Sequence, residues 1–293
     1  MKTSRFGYPI LMKAGLGNML VPWAKCHLWC KDNNARMIAP FWTKFRIGPY
    51  LRREKDKRNY QRLFKSNRDI GGLQRLYLLA TTTKCAFELF DDTSSPRNRG
   101  ITVLFSGMDS FDRLIGRHEE IRQALTAMTK PEFVPAKMDK PFIGVHVRLG
   151  DYASVENGAS APWTSRLPID WYVAAVHEVR KTAGFDLDVI LFSDGNDEEL
   201  RALLELPAVR RSEYKESITD ILALSQATVI IGSCSSFSMW GAYLAQTFTV
   251  WHLGRCPGKI MEQQRSECYE TEWLPGNSFP DSFRSGLVKV ISA

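Results

Sequence analysis

The chain has 293 residues, of which 44% are hydrophobic and 24% are charged, and its formal net charge is +7. This composition is typical of a globular protein with a sizeable core and is too polar for a bundle of membrane-spanning helices. Six scattered cysteines are too few for a disulfide scaffold, so we expect free thiols and, by default, a cytoplasmic protein. The apolar stretch Pro9 to Met12 is too short for a secretory signal.

The N-terminal part of the chain predicts a strand, a turn and a helix. The strand covers Gly7 to Met12, the turn is Gly15-Leu16-Gly17-Asn18, and the helix runs from about Met19 to Lys31. A dinucleotide-binding fingerprint that begins at Gly15 requires its third glycine at position 20, but this residue is Leu20. A nicotinamide cofactor is therefore not expected. The segment Cys26 to Cys30 has no second pair of zinc ligands after it, which favours a helix core over a metal site.

The middle of the chain is basic. Between Lys44 and Arg68, ten lysines and arginines accompany only two acidic residues. Such a run is typical of a solvated surface. The functional alternative is contact with anionic lipid head groups or with a lipid-diphosphate-linked acceptor, and nucleic acid is not expected because no nucleic-acid-binding module accompanies the charge. This region also predicts helices near Gly72 to Leu79 and Arg113 to Met128 and a strand at Ile101 to Phe105.

A change in charge indicates a domain boundary near residue 138. Residues 1–138 hold 25 lysines and arginines against 12 acidic residues, whereas residues 139–293 hold 14 against 20. The segment Lys130 to Met138 carries two prolines between a predicted helix and a predicted strand. We therefore expect a basic N-terminal domain, residues 1–138, and a C-terminal domain, residues 139–293.

The C-terminal half alternates short apolar strands with helices. This alternation predicts a parallel sheet that is covered on both faces, with the polar residues that follow its strands lining one crevice. The predicted strands are Phe142 to Val147, Asp188 to Phe192 and Thr228 to Ile231, and the predicted helices are Trp171 to Lys181 with Asp170 as N-cap, Asp197 to Leu204, Ile218 to Gln226 and Ser238 to Ala245.

The end of the first of these strands resembles a phosphate clamp. His146 and Arg148 fall on the same face of the strand, and Gly150 ends it. Arginine suits a diphosphate because its planar group donates two parallel hydrogen bonds and stays charged near neutral pH. An anion is therefore the expected ligand at this edge.

A serine-rich turn, Gly232 to Ser238, follows the last predicted strand and begins a helix. Unpaired amides at a helix start favour phosphate oxygens, and serine hydroxyls either cap the helix or bind the ligand. Both interpretations fit the turn alone. The presence of Arg148 at the same predicted edge favours the anion-binding one.

Three motifs in these segments resemble those of the α-1,2-fucosyltransferases, glycosyltransferase family 11. The segment His146 to Tyr152 is similar to the family's H-x-R-R-G-D-Y motif, and Ser235 to Leu244 is similar to its S-S-F-S-W-W-A-A-W-L-type segment. The turn Gly15 to Asn18 is similar to its G-L-G-N-Q turn. The three motifs occur in the family's order, from Gly15 to Leu244.

The resemblance implies an α/β fold of the glycosyltransferase-B type, with two Rossmann-like domains facing across a cleft. The N-terminal domain would be the acceptor side and the C-terminal domain would bind the donor substrate, GDP-fucose, without a metal ion or other cofactor. The partners implied are this nucleotide sugar and a glycan acceptor. If the glycan is linked to a lipid, the basic segment Lys44 to Arg68 would bind to the inner face of the membrane as a peripheral contact.

The resemblance also implies roles for individual residues. Arg148 would clamp the diphosphate and stabilise the charge that develops on the departing GDP, with His146 beside it. Asp151 is the candidate general base for the acceptor hydroxyl, which would attack the anomeric carbon from the opposite face and invert it; alternatively, Asp151 braces the turn. The remaining candidates for donor binding are Gly15, Gly17, Asn18, Ser193, Asp194, Asp220, Ser235, Ser236, Phe237 and Ser238.

Two positions differ from the family's motifs. Leu149 stands where the motif has its second arginine, and Met19 stands where the glycine turn is followed by glutamine. These differences keep two alternatives open. One is a noncatalytic, degenerate transferase that binds a nucleotide or glycan, and the other is a fucosyltransferase with a protein acceptor.

Overall fold

The computed structural model describes residues 4–43, 59–65, 69–90, 100–107, 111–150, 165–256, 258 and 260–291. The chain divides into two compact units, Met1–Pro131 and Glu132–Ala293. Each unit is built on a sheet whose paired strands all run parallel. The α/β class predicted from the alternation of strands and helices is confirmed.

The first unit has a four-stranded sheet in the order β2-β1-β4-β3. Short 3-10 helices lie at Gln61–Leu63, Phe87–Leu89 and Asp112–Leu114. The main elements are β1 (Arg5–Pro9), α1 (Leu16–Asp32), β2 (Arg36–Met37), α2 (Gly72–Thr81), β3 (Thr83–Ala86), β4 (Ile101–Phe105) and α3 (His118–Met128).

Helix α1 packs closely on β1. A Cβ atom added at Gly7 would lie 2.5 Å from the Cys30 Sγ and 2.7 Å from the Cys26 Sγ, so only glycine fits at this position. Both thiols are buried and free, and His27 stacks on the Trp23 ring. The prediction that this segment forms helix core is therefore confirmed. Within the described residues, no group of three possible metal ligands comes together.

The second unit has a six-stranded sheet in the order β7-β6-β5-β8-β9-β10. A 3-10 helix at Pro131–Phe133 precedes it. The elements are β5 (Phe142–Val147), α4 (Ile169–Ala183), β6 (Asp188–Ser193), α5 (Arg201–Leu204), β7 (Val209–Arg211), α6 (Ser217–Leu224), β8 (Val229–Ile231), α7 (Ser236–Ala245), β9 (Phe248–His252), α8 (Gln263–Tyr269), β10 (Glu270–Trp273) and α9 (Asp281–Ile291).

The order of these strands creates a topological switch point. From the central strand β5, the chain first builds outward through β6 and β7 and then returns to build outward on the other side through β8, β9 and β10. This is the doubly wound order 3-2-1-4-5-6 of dinucleotide-binding Rossmann sheets. In such sheets, ligands bind beyond the carboxyl ends of the strands where the winding reverses, which here is between β5 and β8.

Strand β5 is buried on both faces, as predicted for a central parallel strand. All six of its residues are buried. A Cβ atom added at Gly144 would lie 2.6 Å from Leu224 Cδ1 and 2.9 Å from Ala227 Cβ, so glycine lets α6 and its following turn approach the strand. The core thus continues directly into the residues at the end of β5.

The proline-containing segment before β5 is fastened to the second unit. The Thr219 hydroxyl donates a hydrogen bond to the Phe133 carbonyl oxygen at 2.8 Å. The Met138 amide donates to Gln226 Oε1 at 2.8 Å, and the Gln226 Nε2 donates to the Ala136 carbonyl oxygen at 3.1 Å. Residues 133–138 therefore lie against α6 and the turn after it.

Some predicted element bounds are wrong. Helix α4 begins at Ile169 with Pro168 as its N-cap, so Asp170 lies in the first turn, where the helix dipole favours an acidic side chain, instead of capping the helix. Helix α5 begins only at Arg201, after the turn that contains Asp197. Helix α1 begins at Leu16, within the predicted glycine turn. Among the described helices, none has the length and apolarity to cross a bilayer.

Candidate functional site

The polar residues that follow the strands of the second sheet lie at one edge, because all these strands are parallel. Arg148 follows β5, Asp194 follows β6 and Ser233 follows β8. Two of these strands, β5 and β8, flank the switch point. The structure thus brings the two segments singled out in the sequence to the position where sheets of this order bind ligands.

His146 lies at the centre of a buried polar cluster, the His146 serine cluster, which also contains Ser233, Ser235 and Ser238. The His146 Nδ1 is 2.7 Å from the Ser238 Oγ, 2.9 Å from the Ser233 Oγ and 3.5 Å from the Ser235 Oγ. The Ser233 Oγ is also 3.0 Å from the Ser235 Oγ and 3.1 Å from the Ser238 Oγ. The cluster therefore ties β5 to the start of α7.

Three further contacts fix the orientation of this cluster. The Ser233 amide donates to the His146 carbonyl oxygen at 3.2 Å. The Phe237 ring stacks on the imidazole with a centroid distance of 4.4 Å and an interplanar angle of 12°. The Ser235 hydroxyl accepts from the Ser238 amide at 3.4 Å and caps α7, which makes Ser236 the first helical residue. Helix capping and contact with His146 thus use the same serines.

The imidazole of His146 is neutral at physiological pH. Only 4% of the residue is exposed, and this burial lowers the pKa of His146 to about 3. The charge of Asp194 acts against the shift and that of Arg148 adds to it. A neutral imidazole both donates and accepts hydrogen bonds, as its place among hydroxyl groups requires.

The stability of the second unit should fall as the pH falls from about 6.5 towards 3. The unfolded chain binds a proton on this histidine at about pH 6.5, whereas the folded protein does not, so acid favours unfolding by up to about 1.4 kcal/mol per pH unit. Above pH 6.5 the contribution is fully present. Urea unfolding followed by tryptophan fluorescence at several pH values measures this slope.

Carboxylates also make the stability depend on pH in this range. Replacing the histidine separates its contribution to the slope from theirs. His146→Asn should flatten the pH dependence between pH 3 and 6.5, whereas His177→Gln, at an exposed position of α4, should leave it as in the unmodified protein. Equal slopes for the unmodified protein and His146→Asn would show that His146 titrates normally and contradict the prediction.

Arg148 pairs with Asp194 at the switch point. Its Nη1 is 2.7 Å from the Asp194 Oδ2, and both side chains are partly exposed. The other carboxylate oxygen, Oδ1, accepts from the Leu149 amide at 2.8 Å. A Cβ atom added at Gly150 would lie 2.4 Å from the Asp194 Oδ2, so glycine leaves room for this pair. One carboxylate thus holds both the backbone and the side chain at the end of β5.

Leu149 belongs to the hydrophobic core. It is 4% exposed and lies in the cluster that includes Val147 and Trp171. A Cβ atom added at Gly195 would lie 2.5 Å from the Leu149 Cδ1. The position where the related motif has a second arginine therefore carries a core side chain in this protein.

Two other predicted donor-binding residues, Ser193 and Asp220, also form hydrogen bonds within the protein. The Ser193 hydroxyl donates to the Val147 carbonyl oxygen at 2.7 Å and accepts from the Gly195 amide at 3.0 Å, which joins the ends of β5 and β6. Asp220, in the first turn of α6, accepts from the Ser212 hydroxyl at 2.5 Å. The role of Asp220 as a nucleoside contact stays a prediction.

The predicted residues of the first unit lie at the start of α1. Gly15 is the N-cap of this helix, and a Cβ atom added there would meet no atom within 4 Å. Gly17 is buried and Asn18 is partly exposed in the first turn, and the Leu16 amide donates to the Tyr60 hydroxyl at 3.2 Å. Their contact with a donor stays a prediction.

Two predictions fall wholly or mostly outside the described residues. These are the role of Asp151 as general base and most of the basic run Lys44 to Arg68, of which only residues 59–65 are described.

The residues that follow β9 are not among the site residues predicted from the sequence. Arg255 lies in a turn at the same edge of the sheet, three residues beyond the end of the strand. A signal was present, since Phe248 to His252 is a short run of aromatic and β-branched residues with Gly254 soon after it.

Comparisons with known proteins bear on the family and on the fold. The sequence profile of "Glycosyl transferase family 11" matches residues 105–275, more than half of the chain. The fold matches NodZ α-1,6-fucosyltransferase co-crystallised with GDP, with a TM-score of 0.50 and 12% identity over 85% of this chain and 96% of NodZ. No curated protein sequence matches the chain.

Two other solved structures are similar at slightly lower scores. Fucosyltransferase NodZ from Bradyrhizobium has a TM-score of 0.49 and 13% identity over 84% of this chain and 94% of that chain. POFUT1 in complex with GDP has a TM-score of 0.49 and 12% identity over 85% of this chain and 98% of that chain. With its two parallel α/β units and the match to NodZ, the chain has the glycosyltransferase-B type of fold that the sequence predicts.

Proposed function

The chain belongs to glycosyl transferase family 11, and we propose that it transfers fucose from GDP-fucose to a hydroxyl group of a glycan. One observation carries this proposal. The clamp-like end of β5, with Arg148, and the start of α7, with its serine cap, meet at the switch point of a Rossmann sheet. Both groups favour diphosphate oxygens, because an arginine donates two parallel hydrogen bonds and the amides at a helix start point towards an anion.

The proposed reaction assigns Arg148 to the leaving group. When the bond between the anomeric carbon and the diphosphate breaks, negative charge develops on GDP, and a guanidinium placed at the diphosphate stabilises it. Asp194, which pairs with Arg148 in this structure, holds the guanidinium in place before the donor binds. The acceptor hydroxyl attacks the anomeric carbon from the opposite face and loses its proton to a base, for which Asp151 is the candidate, so that the configuration inverts.

The buried histidine has a different task in this proposal. Because burial keeps His146 neutral, it does not offer a fixed positive charge to the diphosphate. Its hydrogen bonds to Ser233 and Ser238 instead hold the start of α7 against the end of β5. We therefore assign His146 as a positioning residue that keeps the two anion-binding segments together.

Donor turnover in the presence of EDTA tests the proposal. The full chain, incubated with GDP-fucose and simple galactosides, should release GDP at a rate that EDTA leaves unchanged, because Arg148 supplies the charge stabilisation that a metal ion supplies elsewhere. Release that required added manganese would contradict the metal-independent reaction. Tight GDP binding with no release on any acceptor would favour a noncatalytic, degenerate transferase instead.

The acceptor is the open part of this proposal. A panel that contains free galactosides, a protein acceptor and a lipid-linked glycan in anionic vesicles distinguishes the three classes in one assay. The basic run Lys44 to Arg68 favours an acceptor at a cytoplasmic anionic membrane surface, because clustered lysines and arginines bind such surfaces. Transfer only to the protein acceptor would overturn the choice of a glycan.

A further inference from the structure

The turn that follows β9 leaves the second sheet beside the serine-rich turn. This turn, His252 to Cys256, is called the β9 turn below. Strand β8 pairs with β9 through Ile231 and Val250, and the Gly232 amide donates to the Val250 carbonyl oxygen at 3.0 Å. Because the two strands are parallel neighbours, the segments after them emerge side by side at the same edge.

The β9 turn holds Arg255 in a defined place. The Arg255 amide donates to the His252 carbonyl oxygen at 2.9 Å, and its Nη2 donates to the Ser165 hydroxyl at 2.7 Å. Gly254 has a φ of +72°, a conformation that favours glycine. The arginine is partly buried, and its bond to Ser165 holds the side chain in place.

The charge of Arg255 reaches the serine-rich turn. Burial raises the pKa of the Cys234 thiol to about 11, and the positive charge of Arg255 acts against this rise. Cys234 lies between Ser233 and Ser235, which both belong to the His146 serine cluster. Arg255 therefore acts electrostatically on the segment from which α7 begins.

The charge balance at this edge leaves a role for a second cation. Arg148 has Asp194 as a counter-ion, and Leu149 is a core residue that brings no charge to the edge. A nucleoside diphosphate carries several negative charges, and arginine is the residue that binds phosphate oxygens in pairs of hydrogen bonds. One arginine that shares its charge with a carboxylate balances only part of this.

We infer that Arg255 is the second guanidinium of the donor site and binds the diphosphate together with Arg148. This inference rests on the proposed function, since it assumes a nucleoside diphosphate at the switch point.

Calorimetric titration with GDP and with guanosine tests the inference on the full chain. Arg255→Ala should weaken GDP binding by about ten- to a hundredfold, the usual effect of losing a hydrogen bond to a charged group. Guanosine, which has no phosphates, should bind as it does to the unmodified protein. Arg255→Lys should recover part of the loss, and Arg201→Ala, at an exposed ion pair of α5, is the matched control.

The possible results distinguish a failure of this inference from a failure of the proposed function. If the unmodified protein binds no GDP, the proposed function fails. If it binds GDP and Arg255→Ala binds GDP equally well, only the role of Arg255 is overturned. Equal losses of GDP and guanosine affinity would also overturn it, because they would indicate a structural effect.

A measurement on the unmodified protein covers the case in which the variants do not fold. Phenylglyoxal modifies accessible arginines, and mass spectrometry locates the modified residues. GDP should protect Arg255 but not Arg201, and guanosine should protect neither. Modification of Arg255 at the same rate with and without GDP would overturn the inference.

Discussion

Replacing Arg148 with alanine should lower the rate of GDP release from GDP-fucose by about a hundred- to a thousandfold. This is the usual effect of removing one group that stabilises developing negative charge, about 2.7–4 kcal/mol of transition-state free energy. The guanidinium lies at the switch point of the second sheet, where its Nη1 is 2.7 Å from Asp194. Steady-state kinetics of GDP release, with the acceptor saturating, measures the change in kcat.

Two variants control for effects other than the lost charge. Arg148→Lys should recover little activity, because an ammonium group cannot donate the paired hydrogen bonds of a guanidinium. Arg284→Ala removes another arginine whose Nη2 is 2.7 Å from an aspartate, Asp281 on the surface of α9, and should leave kcat unchanged. A kcat for Arg148→Ala within threefold of the unmodified value would refute its assignment to the leaving group.

Replacing Leu149 with arginine should destabilise the second unit by about 3–5 kcal/mol. The change restores the residue pair of the related motif in sequence, yet it places an unpaired charge in a core position that is 4% exposed. The side chain also contacts Gly195 closely, so a longer residue has no space there. Chemical unfolding followed by tryptophan fluorescence gives the change in the free energy of unfolding.

Size and charge are separated by two further substitutions. Leu149→Met conserves the volume and should cost less than about 1.5 kcal/mol. Leu253→Arg introduces the same charge at a position that is 52% exposed and should change stability by less than about 0.5 kcal/mol. A Leu149→Arg protein that is as stable as the unmodified one and binds GDP more tightly would show that this position faces the ligand.

The bounds of a strand are predicted correctly where the hydrophobic pattern of the sequence agrees with the burial of its residues. Strand β5 has the predicted bounds Phe142–Val147, because an apolar run that ends at Gly150 is unambiguous. Strand β4 has the predicted bounds Ile101–Phe105 for the same reason. The C-terminal elements were not predicted, because β10 has the charged sequence Glu-Thr-Glu-Trp and obtains its stability from pairing with β9 rather than from its own pattern.

The partners of the polar residues could not be read from sequence. Asp194 is 46 positions from Arg148, and only the parallel pairing of β5 with β6 brings them together. The serines of the α7 start were open to two interpretations, and the structure shows that Ser235 caps the helix while it also contacts His146. The bonds of Ser193 to the ends of β5 and β6 likewise arise from the sheet and have no local signal.

Because of the Asp194 carboxylate, the binding of a ligand at this edge depends on how many negative charges the ligand carries. It already neutralises Arg148, so a singly charged anion that displaced it from the guanidinium would exchange one negative charge for another and gain little. A diphosphate brings more charge than it displaces. During such an exchange Oδ1 can stay on the Leu149 amide, so that the swap moves one side chain and leaves the strand end in place. The ion pair between Arg148 and Asp194 therefore favours ligands with several negative charges over singly charged anions.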